Sequence, residues 1–181
     1  YSLWDRDQQL IYEINVEGTR NILQAAKEKG LEKIVYTSTV GCIGLNEDQT
    51  PATENTFFNK NTLSNDYKKS KYQAEQVALD FARGGLPVVI VNPSTPVGSR
   101  DIKPTPTGKI ILDFINREMP AYLDTGLNLI DVKDCARGHI LAEQKGVTGE
   151  RYILGNQNMS LLDILLTLEK ITGLKAHRIK M

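Results

Sequence analysis

Apolar residues recur along this chain at two spacings, and each change of spacing marks a new element. From about Arg6 to Lys29, the residues Ile11, Ile14, Gly18, Ile22 and Ala25 repeat at helical intervals, and Gly30 follows as a stop. This predicts one long helix with that stripe packed inward. Lys33-Ile34-Val35-Tyr36-Thr37-Ser38 then abandons the helical period. A short β-branched run of this kind reads as a buried strand. Residues 40–64 are polar, with Gly41, Gly44, Pro51 and several Asn, and predict a long loop. Loops of that length in compact domains are functional or disordered. A second helical run, from about Asn65 to Arg83, is closed by Gly84-Gly85. It leads into Leu86-Pro87-Val88-Val89-Ile90-Val91, another apolar strand. Strand, helix, strand with unbroken apolar strands predicts an α/β fold: a parallel sheet with helices on both faces.

Beyond Asn92 the texture changes. Pro93, Pro96, Pro104 and Pro106 exclude regular helix. A helix is expected around Gly108 to Asn116, a short strand at Leu129-Ile130-Asp131-Val132, and a helix from Val132 to Gly146. Arg151-Tyr152-Ile153-Leu154 reads as a third sheet strand. Ser160 caps a last helix, Leu161 to Thr172, which Gly173 ends. There is no internal repeat and no low-complexity tract.

The second helix carries the candidate chemistry. At about 3.6 residues per turn, Tyr67, Lys71, Ala74, Ala78 and Phe81 form one stripe. Lys68, Lys69, Glu75 and Asp80 fall off it. A lysine therefore points where the helix packs, and a buried ammonium needs something to hold it. A tyrosine hydroxyl is a poor base at neutral pH, but a cation one turn away favours its phenolate. Tyr67 beside Lys71 then suits a hydroxyl-to-carbonyl interconversion. A surface helix with a snorkelling lysine shows the same spacing. The hydroxyl run Thr37-Ser38-Thr39 ends the first strand, where ligands of open α/β sheets bind. A hydroxyl there can hold a substrate oxygen as charge shifts onto it, and simple strand-end capping accounts for the run equally well. Asn92-Pro93-Ser94 ends the next strand in the same way.

Composition removes other classes. The 181 residues include 22 Lys+Arg and 22 Asp+Glu, a formal net charge of zero. Nucleic acid as main partner needs a basic surplus. No apolar run approaches the ~20 residues of a membrane span. Cys42 and Cys135 are far apart and lack ligand-spaced neighbours, as do His139 and His177, so no metal site is expected. Free thiols suit a reducing cytoplasm. Tyr1-Ser2-Leu3-Trp4 opens without an initiator Met and soon enters a helix, so the chain reads as part of a longer protein.

The order of hydroxyl strand, Tyr-x-x-x-Lys helix, apolar strand and proline turn resembles the extended short-chain dehydrogenases/reductases, the NAD-dependent epimerase/dehydratase family. Asn15-Val16-Glu17-Gly18-Thr19, Asn92 to Gly98, Leu129 to Ala136 and Gly149 to Gly155 look like further motifs of that branch. Val91 to Thr107 and Met119 to Leu129 look most like the hopanoid-associated sugar epimerases, a group similar to dihydroflavonol reductases. The resemblance implies Tyr67 as catalytic acid/base and Lys71 on the nicotinamide ribose. It implies Thr39 on the substrate oxygen, where the family more often has Ser. Thr37, Pro93 and Ser94 would border a bound NAD or NADP. Asn15 would be structural, and Asp131 and Asp134 would be helix-entry residues. Arg100 would meet a substrate phosphate or form a surface salt bridge.

The family's glycine-rich phosphate cradle has no match in the sequence. The expectation is therefore an incomplete Rossmann-like sheet. Residues 1–92 would be the C-terminal half of a dinucleotide-binding domain. Residues 93–181 would carry substrate-binding elements and a strand returning near 151–154. Ile34 to Ser38 would form an open edge, and the chain alone would aggregate. The activity implied is sugar epimerisation through a keto intermediate, on a sugar or nucleotide sugar, by a homodimer pairing through helices 6–29 and 65–83. Carbonyl reduction is the alternative. A non-catalytic nucleotide-sensing or interaction protein on the same scaffold would have no need of Thr39, Tyr67 and Lys71 together.

Overall fold

The computed structural model describes residues 8–46, 48, 50–56, 58, 66–176 and 179–180. The chain forms two compact units. One joins the chain up to Pro93 with Arg137–Leu154, and the other joins Ser94–Ala136 with Gly155–Met181. Residues 137–154 thus belong with the first unit, although Ser94–Ala136 of the second unit separates them from the rest of it in sequence.

The first unit is built on a parallel sheet of β1 (Ile34–Thr37), β2 (Val88–Pro93) and β5 (Arg151–Leu154), in the order β1-β2-β5. Ile34 pairs with Val88, and Ile90 with Arg151. Alternate residues of β2 serve opposite faces. Val88 and Ile90 pack with Leu23, Ala78, Ala82 and Leu86. Val89 and Val91 pack with Ala142, against Val35, Tyr152 and Leu154. Both faces are covered, so the strand stays apolar throughout instead of alternating. Among the described residues, β1 pairs only with β2, and its other edge is open.

The first face is covered by α1 (Gln8–Tyr12), a π turn (Glu13–Glu17), α2 (Gly18–Glu28) and α3 (Asp66–Arg83). Here the expected stripe fails. Leu23 and Ala26 are buried, while Ile14 is 63% and Ile22 71% exposed. The π turn is the cause. Gly18 N–H reaches back five residues to the Glu13 carbonyl, and one inserted residue turns the following helix by about 100°. Positions 23 and 26 replace 22 and 25 on the inner face.

The helix α3 begins at Asp66, and Asn65 lies outside the described residues. Its buried residues are Ser70, Ala74, Glu75, Val77, Ala78 and Ala82. That arc is wider than the predicted stripe and takes in Glu75, which the spacing had left with the solvated charges. On the opposite face of the sheet Ala142 packs, from the later part of α5 (Val132–Lys145). Small residues let it approach: a Cβ at Gly146 would lie 2.6 Å from Val89 Cγ1.

The second unit has its own sheet, ordered β3 (Thr95–Val97), β4 (Gly126–Asp131), β6 (Gln157–Ser160). Neither β3 nor β6 is signalled by apolar alternation. β3 runs parallel to β4, and β6 antiparallel to it. Two helices belong to this unit, α4 (Pro106–Ile115) and α6 (Leu161–Thr172). Phe114, Leu161, Leu165 and Ala176 form its core. As expected, Ser160 caps α6, in a capping box with Asp163, and Gly173 ends it at φ 75°. Asp131 Oδ1 accepts from Lys133 N at 2.7 Å, which suits a helix-entry residue.

Candidate active site

The strand β1 delivers three hydroxyls at its carboxyl end. Thr37 is exposed, with Oγ1 3.1 Å from His139 Nε2. Ser38 is buried and extends the ladder through its N–H to Val91 O at 2.8 Å. Thr39 is half-buried and extended, and starts a 3-10 turn, Val40–Cys42. Its Oγ1 accepts from Gly41 N at 3.2 Å. That contact uses a lone pair, and the hydroxyl hydrogen remains for a substrate oxygen.

Tyr67 and Lys71 stand in the first turns of α3, both half-buried. The Lys71 ammonium has no hydrogen bond or ion pair among the described residues. Below them Ser70 is fully buried. Its Oγ donates to Tyr67 O at 2.9 Å and accepts from Asn15 Nδ2 at 2.9 Å. Asn15 sits in the π turn, and Thr19 Oγ1 donates to its carbonyl at 2.7 Å. The turn thus ties the helix carrying Tyr67 to its neighbour.

The sequence reading overlooked a charged cluster beneath this region. Glu75 and Asn92 are both 0% exposed. Asn92 Nδ2 donates to Glu75 Oε2 at 2.7 Å and to Thr39 O at 2.9 Å. Glu75 Oε1 accepts from Arg151 Nη1 at 3.3 Å. Arg151 also donates to Glu54 O, and Glu54 Oε1 accepts from Ile153 N at 2.9 Å. Phe58 stacks on Tyr72 with ring centres 4.2 Å apart. These contacts fasten parts of the long loop to β5 and α3. Two signals were available. Asn92 follows four buried apolar residues, and a polar side chain there needs partners. Glu75 is one helical turn beyond Lys71. Nearby, burial and then the Glu75 charge push the Cys42 thiol up to about 12, against the weaker opposing pull of Ser38, Lys71 and Arg151.

Pro93 closes β2. Ser94, in the second unit, has a buried hydroxyl without a partner among the described residues, as does Asn92 Oδ1. Arg100 is exposed in that unit with φ 74°, and no salt bridge to it is found among the described residues. The second unit holds a cavity of about 470 Å³ lined by Phe114, Arg117, Met119, Leu165 and Lys175, among others, and by none of the expected site residues. No cluster of His, Cys, Asp and Glu suited to a metal occurs among the described residues. No described helix is long and apolar enough to cross a membrane.

The first unit is thus a parallel Rossmann-like sheet with Thr39 at one strand end and Tyr67 and Lys71 on the helix that follows. In the first unit, Lys71 is half-buried with no ion pair among the described residues, which suits a cation kept for the nicotinamide end of a dinucleotide, whereas the sequence offers no glycine-rich turn for its pyrophosphate. Comparison with known proteins agrees. Residues 2–155 match the NAD dependent epimerase/dehydratase family, and the chain belongs to that family. A Synechocystis protein provisionally named dihydroflavonol 4-reductase is 56% identical over 182 residues, covering 98% of this chain and 53% of the relative. The crystal structure of gox2253 matches with TM-score 0.95 and 49% identity, over 100% of this chain and 55% of that one. PA4631, a nucleoside-diphosphate-sugar epimerase from Pseudomonas aeruginosa, matches with TM-score 0.83 and 28% identity, over 92% of this chain and 56% of that one. The chain thus spans about half the length of the relatives it matches.

Proposed function

We propose that the complete protein interconverts a carbinol and a carbonyl with NAD or NADP, using Tyr67 as acid/base. The observation that carries this is the Lys71 cation, without an ion pair among the described residues, one turn from Tyr67 on the helix following the Thr39 strand end. Bound nicotinamide would supply a two-electron acceptor and donor at the substrate carbon. Lys71 would hold the ribose beside it, with Thr37, Pro93 and Ser94 along its border. In the oxidising direction Tyr67 takes the proton from the substrate hydroxyl as the carbonyl forms. In the reducing direction it returns that proton to the oxygen. Thr39 donates a hydrogen bond to the same oxygen while it carries charge. The Lys71 charge favours the phenolate that Tyr67 must become.

Sugar epimerisation repeats the two directions on opposite faces of one keto intermediate. PA4631 and the family description favour it, with a sugar or nucleotide sugar as substrate and Arg100 as a phosphate contact. The Synechocystis relative favours the second reading, a one-way carbonyl reductase. Cofactor stoichiometry separates them: a reductase consumes one NAD(P)H per product, and an epimerase consumes none. In either case Tyr67→Phe lowers kcat by about 10²–10⁴-fold while nicotinamide binding persists. The measurement is turnover of UDP-hexoses and of a dihydroflavonol, beside cofactor titration. Wild-type turnover in the variant refutes the reading. Two further elements of the proposal are a homodimer and a cytoplasmic location.

A further inference from the structure

The proposed catalytic residues lie on separate elements, and a buried relay joins them. Glu75 is on α3, one turn beyond Lys71. Its Oε2 accepts one hydrogen of the Asn92 amide at 2.7 Å, and Thr39 O accepts another at 2.9 Å. Both partners are acceptors, so the amide can face only one way. The Thr39 carbonyl also receives Cys42 N at 3.0 Å, and the Thr39 hydroxyl receives Gly41 N at 3.2 Å. Main chain and side chain of Thr39 are therefore both fixed from within the first unit. The other Glu75 oxygen is satisfied by Arg151 at 3.3 Å. A fully buried carboxylate is a poor choice for stability alone, since apolar residues of the same volume pack as well or better.

We infer that Glu75 is a positioning residue: through Asn92 it holds the Thr39 hydroxyl in place relative to the helix carrying Tyr67 and Lys71. This rests on the functional reading above. Glu75 does not touch the substrate oxygen. It acts through Asn92, and Arg151 keeps its carboxylate aimed. Glu75→Gln keeps the size but must turn its NH₂ toward Asn92 or Arg151, both of which are donors.

The test uses the complete protein, with UDP-hexose and dihydroflavonol turnover as activity probes. Glu75→Gln is expected to lower kcat by about 10–100-fold and to leave the NADPH dissociation constant within about twofold. Amide hydrogen exchange at Gly41 and Cys42 speeds up, while Val89 and Ile90 keep their protection. In the Thr39→Ala background Glu75→Gln costs nothing further. Should Glu75→Gln fail to fold, Asn92→Ala cuts the same relay with the Glu75–Arg151 pair intact, and the lowered kcat, the faster exchange at Gly41 and Cys42 and the absence of further loss in the Thr39→Ala background are again expected. Additive losses with Thr39→Ala, or unchanged exchange at Gly41 and Cys42, overturn the inference. Loss of turnover in Tyr67→Phe together with normal turnover in Glu75→Gln and Asn92→Ala overturns it alone. Normal turnover in Tyr67→Phe removes the functional reading and this inference with it.

Discussion

Lys71 and Glu75 are four residues apart on α3 and meet opposite fates. The lysine is half-buried without a described partner, whereas the glutamate is fully buried between Asn92 and Arg151. Spacing puts Lys71 on the packed stripe and Glu75 among the solvated charges, and it takes the neighbouring strands to bury Glu75 the deeper of the two. The same neighbours act on Cys42. Burial, then the Glu75 charge, raises its thiol from the ordinary 9.0 to about 12. The unfolded chain therefore loses this proton first as pH rises. The contribution to stability is complete below pH 9.0 and is lost progressively as pH climbs to about 12. Urea unfolding across that range is expected to show a falling midpoint, and Cys42→Ala to flatten the fall. At pH 8 the thiol is expected to resist maleimide in the folded protein and to react in denaturant.

At the scale of the element, the π turn changes most. Ile14 and Ile22 are a genuine apolar pattern, but Ile14 falls within the turn and the inserted residue rotates Ile22 outward. Sequence periodicity finds the pattern and cannot see the insertion, because π bonding has no compositional signature. The helix α5 shows the reverse case. Its contact with the sheet depends on what is missing at Gly146, where a Cβ would stand 2.4 Å from Ala142 O and 2.6 Å from Val89 Cγ1. Gly146→Ala is expected to destabilise the protein by about 1–3 kcal/mol through overpacking, read from chemical denaturation. A neutral outcome would mean the helix end shifts without cost.

At the scale of the molecule, two surfaces of the first unit are left uncovered by the described residues. One is the open edge of β1, the other the outward Ile14 and Ile22. For the second, the proposed homodimer supplies a partner, since the family resemblance pairs protomers through these helices. Ile22→Asp in the complete protein is expected to shift it from dimer to monomer in light scattering with its circular dichroism unchanged. A dimer of wild-type strength would exclude this surface.

The sequence by itself determined the elements that depend on local rules. The strands at Ile34, Val88 and Arg151 follow from apolar runs that both faces of a parallel sheet require. The last helix follows from its Ser160 cap and Gly173 stop. The pairing of Tyr67 with Lys71 follows from helical geometry. Tertiary structure decided what depends on distant partners. It brought residues 137–154 back to the first unit, formed the short strands Thr95–Val97 and Gln157–Ser160 by pairing with β4, and turned Ile22 out and Leu23 in. It also buried Glu75 beside Asn92 and Arg151, residues 17 and 76 positions away. Local propensity acts within a turn or two of the chain. The stability of a buried charge, or of a three-residue strand, lies in groups that only the folded chain brings within bonding distance.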